Sequence, residues 1–197
     1  MGEPLLRPRV LCALDFGTTF SGFAFCSLSD DSKIFQWCAA GCAAACAMSA
    51  AADTRHLSLH RHDWPDQLAA GGLPYCKTRT ELLLDGDGGV LAWGWSALLQ
   101  HLSAAAAATA PAGEEEEDTN EPPAPVLLSQ FKLRLAPGAG SGDDAAAPHG
   151  VGVRRLVAQY LGRLGGLAIE HIRKQLGQHI RAADIQWCLT VRGASVC

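Results

Sequence analysis

The chain has 197 residues, of which 48% are hydrophobic and 18% are charged, and its formal net charge is −4. These values suit one globular domain or a large lobe with its own core, and they exclude a chain that is disordered throughout. The acidic balance argues against nucleic acid as a partner, since proteins that bind it usually carry a basic patch. No apolar run reaches the roughly 18 residues of a membrane span, so no membrane partner is expected either.

Eight cysteines are present, and Cys12, Cys26 and Cys188 lie in apolar, strand-like runs. The first nine residues form a short tail without the apolar core of a secretory signal. Free, buried thiols are therefore favoured over disulfides. The sequence predicts a reducing compartment, most simply a cytoplasmic one.

Residues 10–25 carry the most informative pattern of the chain. An apolar run ends at Asp15, residues 17–19 read Gly-Thr-Thr, and an aromatic-rich run begins at Phe20. The pattern predicts antiparallel strands over 10–16 and 20–27, joined at a polar tip.

The residue types at this tip suit the binding of phosphate and metal. Gly17 lets the backbone approach an anion closely, and the hydroxyls of Thr18 and Thr19 can donate to phosphate oxygens. Asp15 ends a strand and is placed to hold a hydrated Mg²⁺. An ordinary hairpin turn is the alternative, because Asp and Gly are common in turns.

The next part of the chain combines short strands with a biased insertion. Residues 34–37 and 56–61 predict strands, and between them residues 38–53 form an Ala/Cys-rich, low-complexity insertion. A zinc site is an alternative for this region, but the spacing fits no closed zinc module and an inert insertion is favoured. That alternative would use the following side chains: Cys38, Cys42, Cys46, His56, His60 and His62.

A second hairpin and a linker follow. Residues 77–84 and 90–95 bracket an Asp/Gly-rich turn, and a short helix is expected over 96–102, which completes a first unit over residues 10–102. Residues 103–125 contain alanines, an acidic run and several prolines, and they predict a disordered linker. The acidic run is interpreted as a solvated segment rather than a metal site.

The last unit covers residues 126–191. It is expected to hold a helical segment over 127–135, a Gly-rich loop, a helix over 153–179 with one apolar face, and a buried strand over 185–191 that joins the sheet of the first hairpin. Residues 192–197 form an atypical end. The order of elements predicts an α/β lobe with a mixed sheet and flanking helices.

At this point the residues show a likeness to a known family. The segment Asp-Phe-Gly-Thr-Thr at 15–19 resembles the first phosphate motif of the actin-like ATPase superfamily, which includes the seventy-kilodalton heat-shock chaperones, actin and the sugar kinases. Further segments resemble the chaperone branch in the same order: the helix start at Gly94, residues 131–135, 156–176 and 185–191. The aromatic residues are closest to its divergent twelve-type branch: Phe16, Phe23, Phe25 and Trp64.

The resemblance implies one lobe of an actin-like ATPase, a ribonuclease H-like fold, that binds ATP and Mg²⁺. It implies that Asp15 orients Mg²⁺ or its water, and that Gly17, Thr18 and Thr19 contact the β- and γ-phosphates. It also implies a catalytic role for Lys132, which would position the attacking water and stabilise charge on the γ-phosphate. The alternative for this lysine is a solvated side chain on a helix surface.

Two features depart from the family pattern. The family strand ends Thr-Val-Pro, whereas residues 190–192 read Thr-Val-Arg, and the chain stops at Cys197, before the family's second phosphate motif, adenosine motif, second lobe and peptide-binding domain. We therefore expect the N-terminal part of a chaperone ATPase domain that is not competent alone, with client proteins bound through the absent part. A non-catalytic pseudo-ATPase or truncated interaction module and a sugar kinase are the alternatives, and whether the chain is an enzyme stays open.

Overall fold

The computed structural model describes residues 9–29, 33–36, 57–60, 64–71, 75–108, 124–136 and 150–191. In these residues the chain is a mixed α/β structure with two sheets and two α-helices. The first sheet contains β1 (Val10–Phe16), β2 (Phe20–Ser27), β3 (Lys33–Gln36), β4 (Leu57–His60), β5 (Thr78–Arg79) and β9 (Ile185–Val191). The second sheet contains β6 (Glu81–Leu84), β7 (Val90–Trp93) and β8 (Val126–Ser129). The helices are α1 (Gly94–Ala108) and α2 (Val153–Leu176), and two short 3-10 helices cover Phe131–Leu135 and Ala182–Asp184.

The first hairpin has the predicted form. β1 and β2 pair antiparallel from Val10 opposite Ser27 to Phe16 opposite Ser21, which leaves residues 17–19 as the turn between them. β9 runs parallel to β1 on its other side, so the strand order is β4-β3-β2-β1-β9, with β5 pairing to β2. The predicted hairpin and its junction with residues 185–191 are confirmed. The shorter predicted strands are present as β3 and β4, and the second hairpin as β6 and β7.

The main core lies between the first sheet and α2. Alternate residues of β1 are buried in one cluster with Leu156, Tyr160 and Leu164 of α2. These helix residues are four apart, which places them on one face, as the periodicity predicts. The helix ends at Leu176 rather than at residue 179, because Gly177 adopts a positive φ of 114° that L-residues rarely take and its N–H donates to the Arg173 carbonyl.

Residues 127–135 are not one helical segment, and that prediction is wrong. β8 pairs with β6 from Ser129 opposite Glu81 to Val126 opposite Leu84, and only residues 131–135 form a 3-10 helix. Gln130 separates the two in a left-handed conformation with φ of 54°. A short apolar run does not distinguish strand from helix, and here the exposed edge of β6 decides the outcome.

The first helix is longer than predicted. It begins at Gly94 and reaches Ala108, so residues 103–108 are helical rather than part of the linker. The run of alanines after Ser103 explains the extension, because alanine has the highest helix propensity. Neither described helix is long and apolar enough to cross a membrane.

β9 is less buried than the sequence suggests. Residues 186–190 are exposed, with Trp187 at 36% and Leu189 at 49% relative exposure. In the described part of the chain β9 is the last strand of its sheet and pairs with β1 alone. On its α2 side the strand does approach the helix, since a Cβ on Gly165 would lie 3.9 Å from the Trp187 ring. The expectation of a buried strand holds only for Ile185.

Several predictions fall on residues that the structure does not describe. They concern the insertion at 38–53 with its three cysteines, the acidic linker between 109 and 123, the loop at 137–149 and the last residues, 192–197. The side chains of the zinc alternative also lie outside the described part. The division at residues 102, 125 and 191 is not tested by these elements.

The described cysteines are free thiols. Cys12 and Cys76 are buried, Cys26 is half-buried, and Cys188 is exposed, so the predicted burial of Cys188 is wrong. The reason is the edge position of β9. Burial raises the pKa of the Cys12 thiol to about 12, with a smaller contribution from the nearby Cys26.

We expect a brief pulse of iodoacetamide at about pH 8 to label Cys188 at least a hundredfold faster than Cys12, because the thiolate reacts and burial suppresses it at Cys12. Peptide mass spectrometry measures both rates in one sample, and the chain unfolded in urea is the control in which the rates converge. Equal rates in the folded chain would contradict the burial of Cys12 beneath α2.

Candidate functional site

The tip of the first hairpin, residues 15–19, is tightly shaped by its own backbone. The Gly17 N–H donates to the Ser21 hydroxyl at 3.3 Å. A Cβ on Gly17 would lie 2.1 Å from the Phe20 carbonyl oxygen, so no side chain fits without a backbone shift. The Thr80 N–H donates to the Thr19 carbonyl at 2.8 Å, which ties the tip to the segment before β6.

Buried hydroxyl groups support the tip from below. The hydroxyls of Ser21 and Thr80 share a buried hydrogen bond of 2.8 Å, and the Tyr160 hydroxyl donates to the Arg79 carbonyl at 2.9 Å. Burial raises the pKa of the Tyr160 phenol, although hydrogen bonds from Ser21 and Thr80 act in the other direction. Tyr160 therefore stays a protonated donor over the physiological pH range. Its hydrogen bond holds α2 against the strand segment beside the tip.

Asp15 lies one residue before the end of β1, and both of its carboxylate oxygens have hydrogen-bond partners. The Lys77 ammonium forms an ion pair with Oδ2. The Thr190 hydroxyl lies 3.3 Å from Oδ1 and 3.2 Å from the Leu14 carbonyl. Burial lowers the pKa of Lys77, but the hydrogen bond and charge of Asp15 outweigh it and leave the pKa above its ordinary value. The pair is thus stable as an ion pair at neutral pH.

Lys77 reaches Asp15 by crossing β2 at a glycine. Gly22 lies opposite Asp15 in the hairpin, and a Cβ on Gly22 would approach the Lys77 Cγ to 3.2 Å. The Trp95 indole N–H lies 3.4 Å from the Lys77 carbonyl. Sequence analysis missed Lys77 because it sits 62 residues from Asp15 inside a predicted strand. The small residue opposite Asp15 is the one signal that a side chain crosses there.

Lys132 lies at the same tip. Its ammonium donates to the Phe16 carbonyl at 2.5 Å and stands 5.1 Å from the centre of the Phe16 ring. The side chain is buried at 8% relative exposure, which excludes the alternative of a solvated surface lysine. Burial lowers the pKa of Lys132, and the charge of Asp15 opposes that shift. Lys132 thus lies beside the tip, and its catalytic role stays a prediction.

The nearby arginine is already neutralised. Arg79 makes two hydrogen bonds to the buried Glu81 carboxylate, at 2.8 and 2.5 Å, and the bond to Glu81 raises the pKa of Arg79. Its guanidinium packs 5.8 Å from the Phe20 ring and 5.5 Å from the Trp95 ring. Arg79 therefore packs against the aromatic rings behind the tip, and its charge is balanced by Glu81. Among the described residues, the cationic groups beside Asp15 are those of Lys77 and Lys132.

The remaining predicted residues lie where the sequence puts them. Gly17, Thr18 and Thr19 form the turn between β1 and β2, with Thr18 half-buried and Thr19 exposed. The structure thus brings together Asp15, the tip and Lys132, and it adds Lys77 and Thr190 as neighbours that the sequence did not indicate. The turn carries two hydroxyl side chains, and the ammonium groups of Lys77 and Lys132 lie beside it.

The fit of the site to Mg²⁺ is poorer than its fit to phosphate. Mg²⁺ is usually held by one or two carboxylates together with phosphate oxygens and waters. Asp15 is the predicted ligand, yet the Lys77 ammonium is paired with Oδ2, so a metal ion would have to share the carboxylate with Lys77 or displace it. Within the described ranges, no group of three or more His, Cys, Asp or Glu side chains is arranged to hold a metal.

Comparison of the chain with protein-family models, with curated proteins and with solved structures found no match.

Replacing Gly17 with alanine tests the shape of the tip. We expect the variant to lose about 1–3 kcal/mol of unfolding free energy, because the added methyl group meets the Phe20 carbonyl. Gly166→Ala is the matched control, since its Cβ would meet nothing within 4 Å on α2. That control should gain about 0.5–1 kcal/mol. Urea denaturation measures both, and equal stability of the two variants would contradict the described tip.

Proposed function

We propose that the hairpin tip binds the phosphate groups of ATP, and that the chain is the N-terminal part of an actin-like ATPase lobe of the seventy-kilodalton heat-shock kind. The observation that carries the proposal is the position of Lys132. Its ammonium is buried against a tip carbonyl that lies 116 residues away in sequence. Burial of a lysine is unfavourable on its own, so such a side chain is a candidate for binding.

The charge at the tip supports an anionic ligand. In the part of the chain that the structure describes, two ammonium groups, those of Lys77 and Lys132, lie near one carboxylate, that of Asp15. Lysine ammonium groups are common phosphate binders because they act as compact point charges. The hydroxyls of Thr18 and Thr19 add donors on the same turn.

We propose that this chain binds nucleotide without turning it over. In the described residues, the groups that can face a phosphate all come from one end of one sheet and the segments beside it. Phosphoryl transfer requires accurate positioning and charge stabilisation around the transferred group. When the binding groups lie on one side only, the phosphates stay in contact with water, where each electrostatic contact is weaker. Weak binding and negligible hydrolysis are the consequence.

A pseudo-ATPase is the second candidate, and one observation favours it. The ion pair between Lys77 and Asp15 engages the carboxylate that the resemblance assigns to Mg²⁺. A site of this kind binds polyphosphate as a structural ligand. Neither candidate turns ATP over in this chain, and the two differ in whether Asp15 takes up Mg²⁺.

Calorimetric titration of the purified chain with ATP, ADP, AMP and inorganic triphosphate tests the proposal. We expect affinity to increase with the number of phosphates, and Lys132→Gln to weaken ATP binding about tenfold or more, since a bond to a charged group is lost. Lys174→Gln is the matched control, because Lys174 pairs with Glu170 on the exposed surface of α2, near the opposite end of β1. A phosphate-release assay should remain at background.

Three outcomes would contradict this proposal in different ways. Failure of the folded wild-type chain to bind any of the four compounds would overturn phosphate binding. An equal loss in Lys132→Gln and Lys174→Gln would show non-specific charge attraction. Turnover of ATP that Asp15→Asn abolishes would make the chain a self-sufficient ATPase and overturn the binding-only part.

A further inference from the structure

Asp15 is already paired with a cation that belongs to the chain. We infer that the Lys77 ammonium is a built-in counter-ion of the phosphate site, so that a nucleoside triphosphate or inorganic polyphosphate binds at the tip without a divalent metal ion. This inference rests on the proposed function and names the form in which the ligand binds, as metal-free polyphosphate. The geometry around Lys77 carries it.

The position of Lys77 is determined by its surroundings on three sides. The next residue along the chain begins β5, where Thr78 pairs with Ser21 of β2. The Lys77 carbonyl lies 3.4 Å from the Trp95 indole nitrogen. The side chain then crosses β2 over Gly22, where the absent Cβ leaves room for its Cγ. These contacts distinguish Lys77 from a surface lysine that meets a carboxylate by chance.

The ammonium remains open to a ligand. The Lys77 side chain is 33% exposed and the Asp15 side chain 43%, so the pair lies at the surface of the tip. An ammonium group has three N–H donors, and the contact with Asp15 uses one of them. The others can reach phosphate oxygens that approach the tip. Asp15 thus acts as a positioning residue, because it holds the ammonium that meets the phosphate.

Lys132 supplies a second ammonium group beside the tip. Lys132 is held at the Phe16 carbonyl, on the residue that follows Asp15. The tip therefore has two ammonium groups beside it, one at Asp15 and one at the next residue. A divalent cation that approached Asp15 would be repelled by both ammonium groups and would compete with Lys77 for the carboxylate. The site therefore favours the polyphosphate over its magnesium complex.

The test compares ATP binding in EDTA with binding in excess MgCl₂ at matched ionic strength, by calorimetry on the full chain. We expect the wild-type chain to bind ATP in EDTA at least as tightly as in MgCl₂. Lys77→Gln should weaken binding in EDTA about tenfold or more. In MgCl₂ the same variant should recover most of that loss, because Asp15 is then available to the metal.

Two further variants separate a binding role from a structural one. Lys77→Arg keeps the charge and should retain metal-free binding, whereas Lys174→Gln removes a remote charge and should leave both conditions unchanged. Circular dichroism and thermal unfolding establish that each variant is folded. If Lys77→Gln does not fold, the wild-type comparison still decides the inference.

The outcomes are distinct. Wild-type binding that is about tenfold or more tighter in MgCl₂ than in EDTA would overturn this inference and leave phosphate binding intact. Lys77→Gln binding in EDTA at the wild-type affinity would overturn it as well. Absence of binding in both conditions would overturn the proposed function itself. Metal-free wild-type binding together with a metal-dependent Lys77→Gln variant would support the built-in counter-ion.

Discussion

The pairing of β1 with strands on both sides is the constraint on which the rest of the structure depends. β2 holds one edge of β1 antiparallel and β9 holds the other edge parallel. A strand paired on both edges has little freedom, so the point at which it ends is fixed in space. That point is Asp15 and Phe16. The parallel partner comes from the far end of the chain, and for this reason Thr190 lies beside Asp15 although 175 residues separate them.

The Tyr160 side chain is part of the core and also contacts the residues next to the site. The Tyr160 ring is fully buried, and its centroid lies 5.8 Å from both the Phe16 and the Phe131 rings. Phe16 follows Asp15, and Phe131 precedes Lys132, so one residue of α2 positions the neighbours of both charged groups. The register of the helix against the sheet therefore determines the distance between the carboxylate and the buried ammonium.

Local patterns predict the long elements, and they fail for a short element and for the burial of strands. Apolar periodicity predicts the hairpin at 10–27 and the apolar face of α2, because both patterns are long. It fails at residues 127–135, where the run is short and the edge of β6 makes it a strand. It also fails for the burial of β9, since burial depends on neighbours in space. Lys77 was missed for the same reason: its partner is 62 residues away, and the crossing depends on a missing side chain at Gly22.

Burial of the Lys132 ammonium carries a stability cost that depends on pH. Burial lowers the pKa of this lysine in the folded state below its value in the unfolded chain. Between those two pKa values the unfolded chain binds more protons, so stability rises with pH across that window and the cost is greatest below it. A phosphate at the tip favours the charged form and raises the folded-state pKa again. Under the proposed function, phosphate binding and folding are therefore linked through the protonation of Lys132.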